Sequence, residues 1–346
     1  MSLRVQFWLL LLSAVVLVGV KALRRLPLRC ATATSGVGSN DGYSELQDEI
    51  MKRVMTVVPS LRERPGFAFS LGCNSWNSAG YSGKFQGWTG SHVRWISSSR
   101  MVRSLSSSSE QPEASSPPSS SVGELLDLSV FVGASLDVPH MRLSLERDAS
   151  SGTSHLFMDY VPREELLVSL DHFDRYFSVI DPEVAALLQP LLQNGSCNSA
   201  RLGAGTNIEV GGVGSAVNLG ARAVSSLLSR MTASPFAVNV LVPAELENTV
   251  LPALCYSHVD RWCRWMQQLE EQKVQQKMAS AEGEAEHNVD VKDAATMMTA
   301  LQRNVRDTSV ARVMFEEYKI RFARVLGEDF APKAEPIAEA CMGPRE

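Results

Sequence analysis

From Leu125 to Val161 the chain reads "LLDLSVFVGASLDVPHMRLSLERDASSGTSHLFMDYV", and its apolar residues recur with a period of two rather than 3.6. Three strands are predicted here, in "LLDLSVFVGASLDV", "HMRLSLE" and "SHLFMDYV", separated by turn residues. Their connections are too short for crossovers, so neighbouring strands should run antiparallel. In the second strand Met141, Leu143 and Leu145 point to one face, and His140, Arg142, Ser144 and Glu146 to the other. One face of the sheet is thus apolar, while the other carries a carboxylate.

Helical periodicity brackets this sheet. "GYSELQDEIMKRVMTVVPSL" predicts a helix with Ser44 as cap, Leu46, Ile50, Val54 and Val57 as its stripe, and Pro59 as its stop. A strand is possible at Ser91 to Ile96, and "SPFAVNVLV" gives another after the central run. A long helix is expected from about Glu245 to Lys277, with Val259, Trp262, Cys263, Met266 and Leu269 on one side and a break possible at Pro252. The closing helix, "DTSVARVMFEEYKIRFARVLG", takes Asp307 or Thr308 as cap. The fold class is α+β: an α/β/α sandwich with a central antiparallel sheet flanked by helices.

Two segments are expected to lie outside the packed core. Ser97 to Ser121 is about half serine, which predicts a solvated insertion. Asn194 to Gly220 is glycine-rich, but neither Gly203-x-Gly205 nor Gly212-x-Gly214 has the third glycine of a dinucleotide-binding loop, so a loop insertion is expected there.

Residues 1–42 read as an address. Met1 to Asn40 holds five basic residues and no acid, and Phe7 to Val20 is an apolar run broken only by Ser13. That run suits a signal-peptide core and is shorter than the roughly 20 residues of a membrane-spanning helix, with a signal anchor as the alternative. The stretch after it, "KALRRLPLRCATATSGVGSN", is basic and hydroxylated like a transit peptide. Delivery to the chloroplast stroma by a bipartite leader is expected, with a soluble mature chain over residues 43–346. Without the leader the formal charge falls from −5 to −9, which argues against nucleic-acid binding. Six scattered cysteines show no zinc spacing, and reduced thiols without a structural metal are expected.

Glu317 stands four residues after Val313 and three before Ile320, so it faces the same side as the core residues of the closing helix, whereas Glu316 is turned outward. Poor solvation there would favour a retained proton, as a general acid requires. The alternative is a glutamate at the stripe's edge, paired with Arg321.

Four segments in order carry a family resemblance: "LFMDYVPREELLVSLDHFDRYF" (Leu156 to Phe177), "SRMTASPFAVNVLV", "HVDRWCRWMQQLEEQK" and "FEEYKIRFARVLGEDF". Over roughly Gly123 to Gly343 the chain resembles the red chlorophyll catabolite reductases, relatives of the ferredoxin-dependent bilin reductases. The resemblance implies reduction of the open-chain tetrapyrrole red chlorophyll catabolite to primary fluorescent chlorophyll catabolite. Electrons would come singly from reduced ferredoxin, with no bound cofactor or metal, and other chlorophyll-catabolic enzymes are possible partners. It places the strand acid on Glu146 and the helix acid on Glu317, where the family has an aspartate. It also implies a pocket position at Ala233 beside Ser234. Arg230 is a candidate for a substrate propionate, and Arg261, Arg264, Lys319, Arg321 and Arg324 are candidates for docking acidic ferredoxin. The competing functions are reduction of another bilin and non-catalytic tetrapyrrole binding.

Overall fold

The computed structural model describes residues 42–58, 60–64, 75–78, 81–103, 122–166, 168–178, 182–193, 234, 237–282, 289–326 and 331–343. Among them are eight strands: β1 (Arg62–Glu63), β2 (Ser75–Ser78), β3 (Tyr81–Thr89), β4 (Val93–Arg103), β5 (Val122–Val132), β6 (His140–Asp148), β7 (Ser154–Val161) and β8 (Val238–Val242). The helices are α1 (Gly42–Val57), α2 (Leu170–Tyr176), α3 (Pro182–Gln193), α4 (Ala244–Glu282), α5 (Val289–Leu326) and α6 (Ala331–Met342). The strands form one sheet in the order β1-β3-β4-β5-β6-β7-β8, with β2 also paired to β3. Every pairing is antiparallel. Helices cover both faces, and the expected α/β/α sandwich is the observed fold.

Strand alternation divides the interior. On one face Leu126, Leu128 and Val130 of β5, Met141, Leu143 and Leu145 of β6, and Leu156 and Met158 of β7 meet Ile50 and Val54 of α1, Leu188 of α3, and Leu254, Val259 and Trp262 of α4. On the other, Trp95, Met101 and Phe131 meet Met314, Tyr318 and Phe322 of α5 and Ile337 and Cys341 of α6. Gly343, at φ +82°, ends α6 directly against the Trp95 indole, where a Cβ would clash at 2.6 Å. The chain before Val122 contributes α1, β3 and β4 to the core. Tyr43 Oη lies 2.6 Å from Ser154 Oγ on β7.

Four local expectations are corrected. First, β4 continues through Ser97 to Arg103, so an insertion cannot begin at Ser97; residues 104–121, like the glycine-rich stretch 194–220 and the leader 1–41, lie outside the described residues. Ser97, Ser98 and Ser99 are buried, Ser98 accepting a hydrogen bond from Gln47 of α1. Second, Pro252 does not break α4. Third, α5 begins at Val289, and Asp307 is a buried residue in its middle rather than a cap. Fourth, the buried stripe of α5 is Val310, Met314, Tyr318, Phe322 and Val325; Ile320 is exposed and Glu317 flanks the stripe. Among the described residues no helix is long and apolar enough to cross a membrane.

The charges after β7 explain how α5 is held. Arg163 is fully buried; its Nε donates to Asp307 Oδ1 at 3.2 Å, Nη2 donates to Asp307 Oδ2, and Nη1 caps the carbonyls of Gly133 and Leu136. His140 accepts the Val132 N–H at Nδ1 (3.0 Å), so its proton sits on Nε2 and points to Asp307 Oδ1 at 3.0 Å. Burial depresses the His140 pKa and keeps the ring neutral. Burial alone would raise Asp307, yet the bonds from His140 and Arg163 hold it below its ordinary value. Around this centre Arg303 reaches Glu164, and Arg306 reaches the Pro162 carbonyl and Glu165. The segment after β7 is thus a clamp for α5.

Removing one partner of a buried pair strands the other charge. Arg163→Leu should therefore lower unfolding stability by about 3–5 kcal/mol, read from the denaturant midpoint. Arg306→Ala, at an exposed pair, should cost about 1 kcal/mol or less.

Candidate active site

The second face of β5 to β8 is a lattice of polar groups fixed by register. Ser129, Arg142 and Asp159 stand side by side in one row. Asp127, Ser144, Phe157 and Asn239 form the next, and Leu125, Glu146, His155 and Leu241 the third. At sheet spacings these rows cover roughly 14 Å across the strands and roughly 13 Å along them.

Helix α5 spans this lattice and is joined to it by long side chains. Arg142 Nη1 donates to Glu317 Oε2 at 3.0 Å, and its guanidinium carbon lies 5.3 Å from the Phe157 ring centre and 5.8 Å from that of Tyr318. Tyr318 Oη lies 2.6 Å from Ser129 Oγ. Arg321 Nη1 donates to Asp127 Oδ1 at 2.5 Å, and Arg324 Nη2 donates to Glu146 Oε2 at 2.7 Å. Arg321 also approaches Glu146 at 3.7 Å. Among the described residues Asp127 Oδ2 and Ser144 Oγ are buried without a hydrogen-bond partner.

Glu146 and Glu317 therefore enter the same layer, with side chains only 13% and 10% exposed. The expectation that Glu317 faces the apolar core is corrected: Arg142 is its partner, and Arg321 pairs with the sheet acids instead. Ser234 is buried, and its backbone N–H donates to both oxygens of Asp159 at 3.2 Å. Ala233 and Arg230 lie outside the described residues. A docking patch combining Arg261 and Arg264 with Lys319, Arg321 and Arg324 does not form, because α4 and α5 cover opposite faces. Arg321 is turned inward to Asp127, and Lys319 pairs with Glu316.

Three further groups in the layer bear on proton chemistry. Asp159 is 1% exposed, and burial pushes its pKa up to about 6 against the opposing pull of the Ser234 bond and Arg142. Burial pulls His155 down to about 4. Its ring is neutral at pH 7, with Nε2 bonded to Asn239 Oδ1 at 2.5 Å, so the proton sits on Nε2. Asp127 is the third, nearly buried on β5. The alternation test that singled out Glu146 finds them too: in "SHLFMDYV" His155, Phe157 and Asp159 share one face, which leaves an aspartate on an otherwise apolar strand. Asp159 can hold a proton near neutral pH, as a donor requires, while the arginines can hold anionic groups.

The raised carboxyl has a linkage consequence. Its folded pKa exceeds its unfolded one, so its favourable contribution is complete below about pH 4 and is lost as pH rises through about 6. Asp159→Asn, which keeps an acceptor for the Ser234 N–H, should match the parent in stability near pH 4. It should exceed the parent by about 3 kcal/mol above pH 7, as measured by chemical unfolding across that range.

No protein-family model and no curated protein matches the chain. Among solved structures it is similar to phytochromobilin synthase from tomato, crystallised in complex with biliverdin, with a TM-score of 0.50 and 12% sequence identity. The match covers 88% of this chain and 85% of that one, and establishes a shared fold across nearly the whole of both.

Proposed function

We propose that this chain is a ferredoxin-dependent reductase of a linear tetrapyrrole, with red chlorophyll catabolite as substrate and primary fluorescent chlorophyll catabolite as product. The observation that carries this reading is the convergence of Glu146, Asp159 and Glu317 on one face of the sheet beneath α5, in a fold shared with a protein crystallised with biliverdin. Reducing one double bond requires two electrons and two protons. Reduced ferredoxin supplies the electrons singly as an external donor, as the sequence resemblance implies, and the layer's carboxyls supply the protons. Within the layer Arg142 holds Glu317 and Arg324 holds Glu146. The basic, acid-free leader supports delivery to the plastid.

The likeness to phytochromobilin synthase favours a second reading, in which the substrate is biliverdin or a related bilin. The same acids would serve, so turnover decides. Anaerobic incubation with reduced ferredoxin and red catabolite should yield a blue-fluorescent product. Consumption of biliverdin alone would move the assignment to the second reading, and consumption of neither would remove the reductase proposal. Glu146→Gln should lower turnover by about 10²-fold or more while changing the dissociation constant far less, measured by single-turnover absorbance and by titration.

A further inference from the structure

The pairs joining α5 to the sheet have a direct consequence for any ligand that enters between them. Each crosses the interface: Glu317 to Arg142 of β6, Arg321 to Asp127 of β5, and Arg324 to Glu146 of β6. A ligand cannot lie against the lattice while all three remain closed. Parting them without replacement would leave the Arg142 and Arg321 guanidiniums and their carboxylates uncompensated in a largely buried layer. The ligand that fits is one that brings its own carboxylates to the arginines.

We infer that the site fills by exchange of ion pairs: the carboxylates of a dicarboxylic tetrapyrrole replace Glu317 on Arg142 and Asp127 on Arg321, and the displaced acids take up protons as the ligand binds. The inference rests on the second, bilin reading, whose ligand carries two carboxylates, and adds to it the chemical group by which the ligand is recognised and the protonation change that accompanies seating.

The layer's charge favours this coupling. Among the described residues four carboxyls (Asp127, Glu146, Asp159 and Glu317) face three guanidiniums (Arg142, Arg321 and Arg324), with neutral His155 and the Tyr318 hydroxyl beside them. Cys341 of α6, also near Asp127, is a buried thiol whose pKa burial raises, so it adds no charge. Two more carboxylates would put six acids against three cations in a closed layer. Proton uptake removes that excess. It also leaves protonated carboxyls beside the pigment before any electron arrives, which ties binding to the supply of protons for reduction.

Asp127 already shows half of the arrangement. One of its oxygens holds Arg321, and the other is buried with no partner among the described residues, next to the unpartnered Ser144 hydroxyl opposite it across the strands. Only one of its two oxygens has a bond to give up when a ligand carboxylate takes its place on Arg321.

Titration calorimetry of the full chain at pH 7, in two buffers of different ionisation enthalpy, measures the protons exchanged on binding. With biliverdin, which carries two carboxylates, the expected result is uptake of about one to two protons. Its dimethyl ester should bind roughly tenfold more weakly or worse and take up none. Asp127→Asn keeps the shape but removes one internal competitor, so it should bind biliverdin about tenfold more tightly and take up fewer protons. Biliverdin binding without proton uptake, an ester that binds as tightly as the diacid, or weaker binding by Asp127→Asn would each overturn the exchange while leaving the tetrapyrrole reading intact. Failure of both biliverdin and its ester to bind would overturn the bilin reading and the exchange with it, whereas turnover of red catabolite tests the first reading separately.

Discussion

The buried contact of Arg163 with Asp307, braced by His140, fixes the relation between the two halves of the molecule on which the rest of the site depends. It joins the residue after β7 to the middle of a 38-residue helix, at a place where neither side chain reaches solvent. From Asp307 to Glu317 is ten residues, or roughly 15 Å along α5. A helix pinned at that point delivers Glu317, Tyr318, Arg321 and Arg324 in succession over β6 and β5. If the pin slips by one turn, every pair across the layer loses its partner. The part-buried pair of Arg303 and the exposed pair of Arg306 lie nearby, and the exposed one contributes little energy.

The two faces of the sheet serve different ends. Against α1, α3 and α4 apolar side chains dominate, with buried polar contacts such as those of Gln47 with Ser98 and Ser154 with Glu247 among them, and that face carries most of the hydrophobic stabilisation. Beneath α5 the centre is polar, with apolar contacts displaced toward Trp95, Met101 and α6. A core could be built more cheaply with leucine at Arg142, Asp127 and Glu317, because buried ion pairs rarely exceed packed hydrophobes in stability. A layer that keeps paired charges, a carboxyl pushed up to about 6 by burial and a neutral histidine holds the groups that the proposed proton transfer requires.

Much of this was legible in the sequence. Period-two alternation from Leu125 to Val161 gave the strands, their antiparallel pairing and the facing of Glu146, because strand geometry admits only two sides. The expected facing of Glu317 is only partly met, since the stripe through Val313 and Ile320 is rotated from the buried one through Val310, Met314 and Tyr318, and Glu317 flanks it. Helical facing is continuous, and a stripe bordered by aromatics and arginines can be drawn at several angles. The serines of β4 looked solvated because hydroxyl-rich composition says nothing of cross-strand partners, and Ser98 is buried by Gln47 from a helix about fifty residues earlier. Asp307 looked like a cap because aspartate favours that position locally. Only the long-range contacts with Arg163 and His140 make it an interior residue, and no local pattern encodes them.

A crystal structure of the chain with a bound linear tetrapyrrole tests the central claim most directly. The account places the pigment between α5 and the sheet face bearing Asp127, Arg142, Glu146 and Asp159, with its carboxylates on the arginines. Pigment bound against α1 and α4, with the pairs beneath α5 still closed, would contradict it.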